Sequence, residues 1–148
     1  MRVYLPAGPA LLRELQEHGR LPADPQRPAY AVTPAVCAEL GVGPEDEDGE
    51  YAVLTVAALD ALDQVGEVAR RVVLVVEAKA DVLDGPAVSL PHEVPRSRVQ
   101  AVHVDDEAAE HVVRGAAAGD DEARTALEDH DLGWFATQEL DQVLRLLH

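Results

Sequence analysis

Arg71-Val72-Val73-Leu74-Val75-Val76-Glu77 is an unbroken apolar run with a charge at each end. Its β-branched content suits a strand, and the absence of polar alternation means that neither face of that strand meets water. Any fold built on it must press structure against both sides of a sheet, with this strand in the middle. The apolar supply is sufficient, since hydrophobic residues make up 47% of the 148 positions. That length and content predict a single globular domain over residues 1–148. One Trp, one Phe and three Tyr are present, so the core has to be made mostly of Ala, Val and Leu.

Between Arg98 and Arg114 the residue period changes from two to 3.6. Val99-Gln100-Ala101-Val102-His103-Val104 reads as a strand in which His103 shares a face with Val99 and Ala101. Ala109, Val112, Val113, Ala116 and Ala117 then recur at helical spacing. Asp105 and Asp106 fall at the change, where a carboxylate can accept orphan helix N–H groups at the positive end of the dipole.

Elsewhere, Arg2–Leu5 reads as a first strand ended by Pro6, and Pro9 opens a helix with Leu11, Leu12 and Leu15 inward that Gly19 stops. Three prolines make 20–29 a loop. Tyr30-Ala31-Val32 is a brief strand, after which Thr33 caps and Pro34 opens a short helix with Val36, Cys37 and Leu40 inward. Glu45-Asp46-Glu47-Asp48 lies in an exposed loop and lacks the spaced ligand pattern of a calcium site. A helix is expected from about Glu50 to Gln64, with Tyr51, Leu54, Ala58 and Leu62 facing in. Ala87–Leu90 is a weak strand, and Pro91 and Pro95 bracket the loop residue His92. Asp120-Asp121 starts a helix with Ala123, Ala126, Leu127 and His130 inward and Gly133 just past its end. Leu132–Ala136 is a last short strand around Trp134, and Thr137 caps a terminal helix carrying Leu140, Val143, Leu144 and Leu147. This order predicts an α+β fold, with mixed α/β as the alternative: one mixed sheet of about four to six strands flanked by helices.

The formal charge of −16 opposes contact with phosphate backbones and anionic lipid, so direct nucleic-acid binding is not expected. It favours a basic protein partner. Cys37 is the lone cysteine, which precludes an internal disulfide and fits a reducing compartment. No run approaches the roughly 18 apolar residues of a membrane span, and no signal-like segment precedes Pro6, so a cytoplasmic location is expected. A homodimer through the aliphatic terminal helix is a further expectation.

Two clusters could carry chemistry. One is His103, Asp105 and Asp106; the other is Asp129, His130 and Asp131 with Trp134 just beyond. Brought together, they could hold one divalent metal or position a water for hydrolysis. Against this stand the missing His-Glu-x-x-His pattern, the absence of a phosphate-binding glycine loop and the lack of a nucleophile elbow around Ser89 or Ser97. No catalytic residue and no cofactor is therefore assigned. The first reading is an acidic binding or regulatory module; the alternative is a small metal-dependent hydrolase at the end of strand 99–104.

Four segments carry a family resemblance: Arg2-Val3-Tyr4-Leu5-Pro6-Ala7, Tyr30–Pro34, Ala101-Val102-His103-Val104-Asp105-Asp106, and Glu128–Glu139. In order and content the chain resembles a family of uncharacterised acidic actinobacterial proteins, a domain of unknown function. The resemblance implies a shared architecture and no particular activity. Phe135 stands where that family usually has Tyr after the Trp, and the middle acidic loop is shorter here.

Overall fold

A computed structural model describes residues 1–148. The elements follow in the order β1 (Arg2–Ala7), α1 (Pro9–His18), β2 (Arg20–Leu21), α2 (Pro34–Leu40), α3 (Glu47–Asp60), β3 (Val72–Glu77), β4 (Asp81–Val82) and β5 (Val88–Ser89). They continue with β6 (Val94–Pro95), β7 (Val99–Val104), α4 (Glu110–Ala117), α5 (Asp121–Ala126), β8 (Gly133–Phe135) and α6 (Leu140–Leu146). The main sheet has four strands in the order β1-β3-β7-β8, and β2-β6 and β4-β5 form two small ribbons. Every pairing is antiparallel, so the fold is α+β and its sheet is not mixed. The apolar run at 72–76 is buried throughout and lies inside the sheet, as its lack of alternation requires.

The first strand runs through Pro6 rather than stopping at Leu5. β1 is an edge strand, and on its outer side the Tyr4 N–H donates to the Tyr30 carbonyl at 2.7 Å while the Tyr30 N–H returns to Tyr4 at 3.0 Å. A residue two places on turns its N–H the same way, so proline at 6 removes no bond to β3. Tyr30 contributes only isolated bridges, to Tyr4 and Ala87, in place of a strand at 30–32. Ala87–Leu90 likewise stays out of the main sheet, since β5 pairs with β4.

One sheet face, carrying Val3, Leu5, Val72, Leu74, Val102 and Val104, packs on Leu12 and Leu15 of α1 and on Leu140, Val143 and Leu144 of α6. Leu147 joins the same core. The apolar stripe of the terminal helix, expected to be free for a second copy, is thus buried within this chain. Thr137 does not cap that helix: its hydroxyl donates to the Val99 carbonyl at 2.7 Å, and the Glu139 carboxylate accepts the Ala136 N–H at 2.8 Å instead.

The opposite face, with Tyr4, Val73, Val75 and Ala101, packs on Val53, Ala57 and Ala58 of α3 and Val36 of α2. The start of α3 lies inside the acidic stretch, where Asp46 Oδ1 accepts the Asp48 N–H at 2.9 Å. Glu47, Asp48 and Glu50 occupy the first turn, which the helix dipole favours. α3 is apolar nearly all round, so the pattern leaves its rotation undetermined: Val53 and Ala57 face the sheet and Tyr51 faces out. In α2, Val36 is buried, Cys37 half-buried and Leu40 exposed. The register shifts between β3 and β7 at Val75/Val76, where Gln100 is the extra residue. That bulge turns Val99 to the α1 side, so His103 shares its face with Ala101 and not with Val99. No helix is long and apolar enough to cross a membrane.

Candidate functional site

α3 lies over β1 and β3 and leaves the same sheet face open above β7 and β8. His103 and Trp134 are register partners there, so both side chains rise on the open side. A cleft of about 650 Å³ results, with Tyr51, Leu54, Thr55, Ala58 and Leu59 of α3 on one side and Arg124, Leu127, Glu128, His130, Asp131 and Leu132 on the other. Arg71 and His103 lie between them.

Antiparallel pairing places Arg71, just before β3, beside Asp105, just after β7. Arg71 Nε donates to Asp105 Oδ2 at 2.7 Å and Nη2 to Oδ1 at 2.8 Å. The backbone joins in: the Arg71 N–H donates to Oδ2 at 2.8 Å, and the Asp105 N–H to the Arg71 carbonyl at 3.1 Å. Both residues are buried. A two-point ion pair whose carboxylate also accepts a backbone N–H is an arrangement in which buried charges are tolerated. Arg71 Nη2 also donates to the His130 carbonyl at 3.0 Å, tying the far wall to the floor.

Of the seven residues singled out from the sequence, His103, His130 and Asp131 line the cleft. Asp105 supports the floor through Arg71. Asp106 only caps the turn into α4, accepting the Ala109 N–H at 3.1 Å. Asp129 and Trp134 lie outside the lining residues, with Trp134 62% exposed. The helix expected to carry His130 inward ends at Ala126, followed by a tight turn over Leu127–Asp129. His130 is then extended and half-buried, so its carbonyl rather than its ring makes the structural contact. No three His, Cys, Asp or Glu side chains come together in a way that could hold a metal ion.

Sequence reasoning missed Arg71, Tyr51 and Arg124. Arg71 was legible only as a charged strand end, although pairing Val72 with Val104 would have set it against Asp105. Tyr51 donates its hydroxyl to Asp131 at 3.1 Å across the cleft mouth, and this bond with the nearby carboxylate raises the phenol above its usual range. His103 is shifted down, first by burial and then by the Arg2 charge, which favours the neutral ring.

By fold and site, then, the protein is an antiparallel α+β domain with one sheet face partly open as a cleft. Residues 1–144 match the model of a family of unknown function, DUF6912, and the chain belongs to that family. No curated protein and no solved structure matches it.

Proposed function

We propose that the chain acts as one domain, a cytoplasmic binding or regulatory module that meets a basic protein partner across the outer face of α3. The observation that carries this reading is that face itself. Val56 and Leu59 are exposed on it, with Tyr51 57% exposed beside them, although the inner face of the same helix is packed. Apolar side chains left unpartnered on a helix and rimmed by polar residues are a mark of an interaction surface. The rim here is acidic, with Glu47, Asp48, Asp63, Glu128 and Asp131 all exposed. Only five of the 28 acids, Glu50, Glu77, Glu93, Asp105 and Glu110, take part in ion pairs, so the field facing a partner is strongly negative. Such a field steers a cationic protein and gives the encounter its salt dependence.

The test is recovery of partners from the source cells by the immobilised protein at low and high salt, beside a Val56→Asp/Leu59→Asp variant. A basic protein recovered near stoichiometry, released by salt and absent from the variant, is expected. Recovery that ignores both salt and the variant would defeat the reading. The metal-dependent hydrolase alternative has less support, because Asp105 is engaged by Arg71 and His103 Nδ1 has no carboxylate to orient it.

A further inference from the structure

The cleft floor has a one-sided hydrogen-bonding character. Arg71 is 5% exposed, and its Nε and Nη2 are engaged by Asp105 and the His130 carbonyl. Nη1 has no protein partner and is not sealed from solvent, and Arg71 is one of the residues that line the cleft. His103 Nδ1, by contrast, is sealed and has no partner. A proton there would be an orphaned buried donor, which structures avoid more strictly than an orphaned acceptor. The neutral ring therefore carries its proton on Nε2, the nitrogen left facing the cleft. On the floor Arg71 and His103 then offer N–H donors and no acceptor. The Tyr51 hydroxyl is engaged by Asp131, and Leu54, Leu59 and Leu132 make much of the wall apolar. The volume lies within the range of small-molecule sites.

We propose that this cleft binds a small molecule with an apolar body and a carbonyl or carboxylate head, whose oxygen accepts from Arg71 Nη1 and His103 Nε2. The site shares Tyr51 and Leu59 with the rim of the partner surface, but its argument does not rest on that reading. The Arg71 charge is already balanced by Asp105, so the head group need not be ionised. For a carboxylate, Arg124 on the wall has no ion pair of its own, and Glu128 and Asp131 on the same wall are competing charges.

Three probes with the same six-carbon body separate this from simple charge or grease: hexanoate, hexanamide and hexylamine, each titrated into the full chain and followed by methyl and imidazole NMR. The net charge of −16 favours the amine and Arg124 can favour only the charged hexanoate, so preference for the uncharged hexanamide over the amine reports the floor. Hexanoate and hexanamide are expected to shift Leu54, Leu59, Leu132 and His103 at ligand concentrations on the order of 10 mM, the range for so few atoms. The amine should bind at least about tenfold more weakly, the worth of one or two lost hydrogen bonds. His103→Leu, with its fold checked by melting, should weaken both acceptors about five- to tenfold. Equal or tighter binding of hexylamine, shifts outside the cleft, or no shift with any probe would overturn the proposal.

Discussion

Arg71 and Asp105 hold the start of β3, the end of β7 and the His130 segment through one set of bonds. Asp105→Ala leaves a guanidinium buried without its counter-charge, and the expected loss is about 3–5 kcal/mol in chemical denaturation. The double variant Arg71→Met/Asp105→Leu removes both charges and should recover much of that loss. It should not recover all, because the carboxylate also accepts the Arg71 backbone N–H. Equal instability of the single and double variants would contradict this account. His103 gives a pH signature of defined sign. Its folded pKa lies below the unfolded value of about 6.5, so the unfolded chain binds more protons between the two. Its contribution to stability is complete above about pH 6.5 and is lost as the pH falls toward the folded value. The stability difference between the wild type and His103→Gln should shift against the wild type over that interval. Parallel pH curves for the two proteins would show that the ring is not held neutral by the fold.

At the scale of elements, the turn joining β1 to α1 is tightly placed. Gln64 Nε2 donates to the Pro6 carbonyl at 3.1 Å, and a Cβ on Gly8 would run into the Gln64 carbonyl oxygen. Gly8→Ala should therefore cost about 1–3 kcal/mol, the range for overpacking against backbone. An unchanged denaturation midpoint would mean that the 61–64 turn yields. These same elements show which signals the sequence carries. β3 was legible because a strand buried on both faces has no polar alternation, and α2 because Thr33 and Pro34 form a strong start, with Thr33 Oγ1 accepting the Val36 N–H. The rotation of α3 was not, since apolar residues on nearly all its sides leave helical phase undefined. The Gln100 bulge and the early end of α5 depend on pairing across the sheet, which local pattern does not encode. Of the candidate site, His103, His130 and Asp131 were found as reactive types near a strand end. Arg71 escaped because its role exists only once two strands are in register.

For the molecule as a whole, the excess of acids sets a response to ionic strength. Self-repulsion among mostly unpaired carboxylates opposes the compact state, and salt screens it. The melting temperature should rise as NaCl goes from about 10 mM to about 500 mM. A fall over that range would mean that the few ion pairs outweigh the repulsion. The packing of α1 against α6 has a different bearing, on the order of events during synthesis. Leu12 and Leu15 share one core with Leu140, Val143 and Leu144, and Gln16 is hydrogen-bonded to Asp141. The ribosome delivers Leu12 and Leu15 before β3 and β7 exist, and Leu140, Val143 and Leu144 only after β7 and β8 have been made. Until then the part of that sheet face covered by α6 stays open. Between the synthesis of β7 and that of α6 the nascent chain therefore carries this greasy surface in the open, which is the interval in which chaperones and proteases compete for it.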